Sequence, residues 1–569
     1  MKMDVLRFKR ANCKDCYKCI RGCPVKAIAV HDHHAAVIEQ DCVLCGRCVL
    51  SCPQYANQAR YDLAPVRELL AAGKEAYAIV SPTFPAQFGA EGFEPLRRLL
   101  KQLGFRDAYE SAEGSRQVRA EYEKLIASGR YNVLLSSVCP SANLLVERYF
   151  PSLIPHLAPV PAPFQVEAQI LRKLHGSDCT LVFFGPCIAD KLDCDEGDGL
   201  TDYVLTYEEL NSLLISSHLP IDLSDVPCDE PKLRSRSFPL AGGIISAMEQ
   251  DPAYSYLSID GMESCLRTLK EVEAGRLRNC FIELNACTDS CAGGPKMSPS
   301  VRSHIEGRAR IMQTALCPGQ PPQDFPLVEG LDLSKTFHSR YVEQYLPNEA
   351  QLTEILHKMG KNSPADELNC GTCGYPTCRE KAAAIYQGKA EITMCLPYMK
   401  KRAESLSDKI ITASPNAILC VDSAMRIQFI NRGALELFDL PPEQNLIGTP
   451  VSDLMDEFEF VTVFSSGEAQ LRRKAYLDRY HKYLEQTFAF VPESNLAICI
   501  MRDITDSERA RQSLQKTKSD AVEITDQIIA KQMRIVHEIA SLLGETAAET
   551  KVALTRLKNT VVMEEDEHL

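Results

Sequence analysis

Two cysteines, Cys287 and Cys291, stand in a Gly-rich turn, FIELNACTDSCAGGP (residues 281–295), with three residues between them. Spaced this way, both sulfurs can face one site, and Gly293 and Gly294 let the backbone approach a bulky ligand. The plainer alternative is a loop with two free thiols. Two more lone cysteines follow apolar, strand-like runs: Cys139 in VLLSSVCPS and Cys187 in LVFFGPCIADK. Four thiolates from three loops can hold one [4Fe–4S] cluster. The rest of the chain reads as wiring to that site and output from it.

The wiring begins at the N-terminus. Cys13, Cys16, Cys19 and Cys23 form C-x2-C-x2-C-x3-C-P, and Cys42, Cys45, Cys48 and Cys52 repeat it. This is the bacterial two-cluster ferredoxin spacing, in which the fourth cysteine of each run serves the other cluster. One [4Fe–4S] cluster is therefore expected on Cys13, Cys16, Cys19 and Cys52, the other on Cys42, Cys45, Cys48 and Cys23. The competing reading is a pair of zinc sites. His31, His33 and His34 lie between the runs and read as a solvated hairpin.

The elements that must position the central cysteines come next. Residues 64–345 alternate apolar runs (76–82, 132–138, 180–186) with helix-like stretches (94–103, 117–128, 165–174). That alternation predicts parallel strands with crossover helices. Ligands in such sheets sit at the C-terminal ends of strands, where Cys139 and Cys187 fall.

This region resembles the C-terminal catalytic domain of [FeFe] hydrogenases over roughly residues 75–345. SSVCP (136–140), GPCIADK (185–191) and the 281–295 loop stand where that family has its three cysteine loops, in the same order. VLTYEEL (204–210) and LAGGIISAM (240–248) resemble its connecting segments. The resemblance implies that Cys139, Cys187, Cys287 and Cys291 hold the cubane of an H-cluster. Cys291 would also bridge to a di-iron subcluster carrying CO and cyanide. The chain departs from the family around the di-iron pocket. Val138 replaces the proton-relay cysteine. Asp190 replaces the lysine that bonds a cyanide, and Lys191 follows it pointing elsewhere. Gly185 and Asn285 replace two methionines, and Thr288-Asp289-Ser290 replaces Pro-Gly-Gly. An Asp beside an anionic ligand is unfavourable unless protonated or turned away. No catalytic residue is therefore assigned, and any hydrogen turnover is expected to be slow. The missing relay cysteine resembles the sensory branch of the family.

Six cysteines, Cys179, Cys194, Cys228, Cys265, Cys280 and Cys317, lie outside the motifs and read as small buried or surface thiols. Cys194 stands apart in an acidic loop. After a polar helical stretch at 346–362, Cys370, Cys373 and Cys378 give C-x2-C-x4-C, with Cys395 following. This resembles a small four-Cys [4Fe–4S] domain, and a zinc knuckle is the competing reading. Residues 404–505 resemble a PAS domain through SPNAI, INRGALELF and the closing MRDIT. Its ligand is unknown. His481 reads as a surface residue, and Cys420 and Cys499 read as core. From Ser507 on, Ala510, Leu514, Thr517, Ala521, Ile524, Ile528 and Ile535 follow a coiled-coil spacing, continued by Ile539 and Leu542 after a one-residue shift. His537-Glu538 matches a phospho-acceptor box, but no ATP-binding segment follows within the chain. A second helix, 545–559, can fold back or dock a partner.

The totals agree with this division. The chain has 569 residues, 24 cysteines, no obvious signal core and a net charge of −13. Acidic balance argues against nucleic acid, and no apolar run is long enough for a membrane span. Sixteen cysteines in cluster spacings favour a reduced, cytoplasmic compartment over disulfides. The expected fold is multidomain α/β. Residues 1–62 form a ferredoxin-like α+β domain, 63–345 an α/β hydrogenase-type domain, and 346–403 a small Fe–S domain. Residues 404–505 form an α+β PAS domain and 506–569 a coiled-coil output segment. The expected cofactors are four [4Fe–4S] clusters and, conditionally, a di-iron subsite. The expected function is sensing of hydrogen or redox state through PAS and coiled coil. The alternatives are a slow ferredoxin-dependent hydrogenase and a non-catalytic multi-cluster scaffold. Expected partners are a ferredoxin-like electron carrier, a separate signalling effector and a second copy through 507–542.

Overall fold

The computed structural model describes residues 4–32, 34–197, 199–223, 232–302, 305–315, 327–442, 444–467, 471–543 and 547–563. It packs as two units, Met1–Met399 and Lys400–Leu569. His33, Cys228 and Cys317 lie outside the described residues, as do the side chains of Glu538, Ile539 and Leu542.

In the first unit the apolar runs become parallel strands, as sequences covered on both faces do. Ala76–Val80 is buried throughout and pairs with Asp107–Glu110 on one side and Thr180–Gly185 on the other. Tyr203–Thr206 completes this parallel sheet. Val133–Leu135 belongs to a different one. There Cys280–Asn285 is central and Ser255–Asp260 forms the other edge, again all parallel. The α/β region is thus two sheets, and cysteine loops leave the C-terminal ends of both.

Helices Glu94–Gln102, Ala112–Ala127 and Pro163–His175 cross between strands. Ala112–Ala127 begins five residues before the expected 117, running through Gly114 and Ser115. Gly114 looks like a breaker but serves packing: a Cβ there would lie 2.1 Å from the Pro163 carbonyl oxygen. Only glycine lets the two helices approach so closely.

The N-terminal residues pair Leu6–Phe8 with Asn57–Ala59 and form the hairpin Ile28–His31/His34–Val37. His31 is exposed and pairs across the hairpin end with His34. Two short helices, Lys18–Gly22 and Arg47–Ser51, start after left-handed residues (Tyr17, φ 55°; Gly46, φ 73°) and end at Cys23 and Cys52. Helix Glu349–Lys358 is closed by an Asn348/Gln351 capping box. Helix Leu396–Ala413 begins one residue after Cys395 and has no counterpart in the sequence reading.

The second unit holds a five-stranded antiparallel sheet, in the order Ile427–Ile430, Ala417–Asp422, Leu496–Asp503, Lys482–Val491, Leu471–Leu477. Ala417–Asp422 alternates buried with half-buried positions, the pattern of a sheet covered on one face. The covering side includes Phe460, edge-on to Phe488 at 5.0 Å. Asn431 caps helix Arg432–Leu437, its Oδ1 accepting from Ala434 N at 2.9 Å and Ile418 N at 2.8 Å. Cys499 is core and Cys420 half-buried. His481 lies at an exposed left-handed turn. Helix Thr505–Leu543 follows, and Ala547–Met563 folds back along it, with Lys558 Nζ 2.8 Å from Asp526 Oδ2.

Candidate metal centres

Cys139, Cys187, Cys287 and Cys291 line one cavity of about 90 Å³. Three of them are placed by strand ends, and Cys291 lies in the short 3-10 helix Ser290–Gly293. Cys139 follows Val133–Leu135 and caps helix Pro140–Tyr149, with Pro140 at its first position. Cys187 lies between Thr180–Gly185 and helix Asp190–Asp195, and Cys287 follows Cys280–Asn285. Gly294 draws the loops together, since a Cβ there would sit 2.8 Å from Pro186 Cβ. Its close approach is to the Cys187 loop, where the sequence suggested a ligand.

Burial raises all four thiols, and Cys187 is pushed further by Asp190, Cys139, Cys287 and Cys291. Four thiols that resist ionising side by side need a cationic centre to become thiolates. Among the described residues no three Cys, His, Asp or Glu side chains lie close enough to share a single metal ion. The sulfurs surround a cavity instead of meeting at a point. An all-sulfur donor set around such a space suits an iron–sulfur cubane.

The altered positions fall on the same wall. Val138, Asp190 and Asn285 line the cavity. Asp190 is not turned away. Burial, and then the charge of Asp193, pushes its carboxyl up to about 7. Lys191 points the other way. Its Nζ is fully buried, 2.9 Å from Asp62, 3.0 Å from the Val204 carbonyl and 3.0 Å from Glu209. At Gly185 an added Cβ would meet the Phe183 ring at 2.8 Å. Phe183, stacked on Phe164 at 4.5 Å, fills that side. Asp289 (φ 62°) and Ser290 (φ 57°) both hold left-handed backbone, which glycine would adopt without strain. Asp289 is held there by its N–H to Asp260 at 2.8 Å and by Arg308 at 3.1 Å. Glu283, fully buried, accepts from Gly242 N, Ile245 N and Asn285 Nδ2, joining 240–248 to this strand. Burial pushes it up to about 7.

Electrostatic proximity links the N-terminal cysteines to one another. Cys19 has Cys16, Cys52 and Cys13 as electrostatic neighbours, and Cys48 has Cys42, Cys45, Cys23 and Cys19. Backbone N–H groups donate to sulfur from Ala27 to Cys23 (3.3 Å), Leu44 to Cys42 (3.4 Å) and Ala56 to Cys52 (3.3 Å). Such bonds tune a cluster's potential. Cys45 also lines the central cavity, and a Cβ on Gly46 would lie 2.6 Å from Pro295. The two cysteine sets therefore abut.

Cys370, Cys373, Cys378 and Cys395 line a separate small cavity together with Lys361, Tyr375 and Lys381. Chain order places this segment after the hydrogenase-type region, yet it packs on the N-terminal cysteine region. Lys26 Nζ donates to Gly374 O (2.7 Å) and Ile20 O (3.0 Å), and its ammonium stands over the Tyr375 ring. Arg21 reaches Thr372 O at 2.9 Å, and Lys389 pairs with Asp41 at 2.7 Å. At Gly374 (φ +96°) a Cβ would sit 2.8 Å from Ile20 Cγ2. Gly374→Ala is expected to cost about 1–2 kcal/mol from backbone strain alone. Urea unfolding of the full chain checks this, and a change under about 0.5 kcal/mol would refute the contact.

Among the remaining described cysteines, Cys265 lies beside the central site, with Cys139 as an electrostatic neighbour and its S–H donating to Asn285 O at 3.4 Å. Cys179, Cys265 and Cys280 are buried. Cys194 donates its S–H to Thr201 O, and burial and then Asp195 push it up to about 12. Lys26 and Lys381 were not marked by the sequence. Their only signal is a lysine inside an otherwise apolar or small-residue stretch.

Residues 74–295 match the family model of the iron-only hydrogenase large subunit, C-terminal domain. Residues 366–397 match an Fe–S cluster model and 406–474 a PAS domain model. A component of the ion-translocating oxidoreductase complex of Methanosarcina acetivorans is 39% identical over 57 residues, 10% of this chain and 22% of that protein. The polyferredoxin-like component of aliphatic sulfonate oxidoreductase of Pyrococcus furiosus is 44% identical over 43 residues, 7% and 24% respectively. The chain thus spans less than a quarter of the length of the curated relatives it matches. Among solved structures, an apo [FeFe]-hydrogenase from Chlamydomonas reinhardtii is 12% identical with a TM-score of 0.39, covering 50% of this chain and 100% of that one. The PAS domain of nitrogen regulation protein NR(II) from Vibrio parahaemolyticus is 20% identical with a TM-score of 0.16, covering 17% and 98%. Among the described residues no helix is long and apolar enough to cross a membrane. The chain combines a segment of the iron-only hydrogenase large-subunit type with an Fe–S segment and a PAS segment.

Proposed function

We propose that the protein is an iron–sulfur redox sensor that reads the charge state of four [4Fe–4S] clusters and signals through its PAS domain and C-terminal helices. The contiguity of the cysteine sets carries this reading. Cys45 shares the cavity of Cys139, Cys187, Cys287 and Cys291. Tyr375 has Cys373 and Cys23 as electrostatic neighbours. The cysteines named above would hold the clusters, and each bound cluster would supply one-electron storage. The protein's own part is to exclude water, donate N–H groups to sulfur and hold the loops in register. Cys395 directly precedes helix Leu396–Ala413, so movement of that thiolate acts on the helix start. Leu514, Ile524, Ile528 and Ile535 are exposed on the long helix, which supports pairing with a second copy there. A ferredoxin-like carrier would exchange electrons, and a separate effector would take the output. Val138 offers no proton at the cavity wall, which favours sensing over fast hydrogen turnover.

A second reading, hydrogen sensing at a di-iron subsite, is favoured by one observation. The cavity continues past the cysteines to Val138, Phe164 and Phe238. Infrared spectroscopy of protein made anaerobically with hydrogenase maturases separates the two. Full cubane iron without CO or cyanide bands supports redox sensing alone. Bands that shift under hydrogen establish the second reading. Iron and sulfide far below four cubanes would sink both.

A further inference from the structure

The 370–395 site carries a feature that cluster binding alone does not require. Lys381, in helix Cys378–Tyr386, is 1% exposed, and among the described residues its Nζ donates only to the Ile392 carbonyl, at 3.3 Å. No carboxylate among the described residues pairs with it. Lys361, also buried, lines the same cavity. The Tyr375 hydroxyl is buried there without a hydrogen-bond partner. A buried ammonium without a carboxylate is unfavourable unless another anion compensates it. Burial lowers the pKa of the Lys381 ammonium, and the facing groups whose negative charge opposes this are Cys373, Cys395, Cys378 and Cys370. At the central cavity the ionisable side chain beside the sulfurs is Asp190, and Lys191 is turned out of it. The two sites therefore differ in the sign of their buried neighbours.

We propose that Lys381, supported by Lys361, raises the reduction potential of the cluster held by Cys370, Cys373, Cys378 and Cys395, so that an electron entering the chain settles there, beside the start of helix Leu396–Ala413. This rests on the four-cluster reading above. Reduction adds one electron, taken from a one-electron donor, and one negative charge to the site. A fixed ammonium within the same cavity stabilises that added charge, and the low local dielectric strengthens the effect. Lys381 is thus a positioning charge for the site, and Cys395 links the site's charge to the output helix through the chain.

The test is an anaerobic redox titration of the full-length protein with dithionite, followed by electron paramagnetic resonance. Lys381→Met and Lys381→Gln are compared with wild type, and Cys370→Ser identifies the signal of this site. Both Lys381 variants are expected to lower the midpoint of that one couple by about 59 mV or more, a tenfold change in its one-electron equilibrium. The other couples stay in place. Gln restores a hydrogen bond but no charge, so recovery of the wild-type midpoint in Lys381→Gln would overturn the proposal. Unchanged midpoints in both variants would overturn it as well. Wild type supplies a check that needs no lysine variant. The couple missing in Cys370→Ser is expected to be the first reduced as the potential falls, and a later place in that order refutes the proposal. If Cys370→Ser removes neither iron nor a signal, the four-cluster reading fails instead.

Discussion

Lys191→Met is expected to destabilise the protein by about 3–5 kcal/mol, the usual loss when one partner of a buried ion pair is removed. Lys191 is fully buried with Asp62 at 2.9 Å and Glu209 at 3.0 Å. Methionine keeps the length of the side chain but leaves Glu209, itself 1% exposed, without its cation. Glu209 also accepts from Thr206 at the cap of helix Tyr207–Ser216, so the helix start loosens too. Asp62 adds a pH signature. Burial alone would raise its carboxyl, but the Lys191 hydrogen bond and charge, followed by those of Arg60, hold it below the usual carboxylate value. Its contribution is present above the unfolded value of about 4 and is lost as pH falls through the lower native value. Arg60 still acts on Asp62 in Lys191→Met, so wild type should lose more stability below about pH 4 than the variant does. Urea unfolding at neutral and acid pH measures both effects. A neutral-pH loss under about 1 kcal/mol would show that the network is not closed as described.

Lys191 also shows where sequence reasoning reached and where it stopped. The sequence places Asp190 and Lys191 next to each other and predicts opposite directions for them. It does not reveal that the lysine meets Asp62, at the end of the N-terminal cysteine region, because that contact spans 129 positions. The two cysteine runs of the N-terminus were legible because cluster spacing is local. The parallel strands were legible as continuous apolar runs, but their division into two sheets was not. Val133–Leu135 and Ala76–Val80 have the same buried pattern, and partner choice is non-local. The docking of Cys370–Cys395 on the N-terminal cysteine region was hidden for the same reason. Its sign is the close approach of Gly374 to Ile20, and a glycine beside a cluster cysteine already has a local explanation. The filling of the Gly185 side by Phe183 needed the rotamer as well as the sequence.

Cys187→Ala tests the central site itself. Cys187 leaves the four-stranded sheet, whereas Cys139 and Cys287 leave the three-stranded one. It is the sulfur that joins the two sheets across the cavity. Removing it leaves three sulfurs on one side, too few to hold a cubane firmly. Anaerobically reconstituted variant protein is expected to lose about four of roughly sixteen irons, with the other three clusters spectroscopically unchanged. The empty cavity should change folding little, because alanine tolerates the same backbone and the variant forfeits only the thiol's hydrogen bond to Asp190. Unchanged iron would remove Cys187 from the ligand set and with it the cross-sheet site. Loss of all iron would mean that the sheets depend on this cluster to come together, and that the N-terminal sets form only once they have.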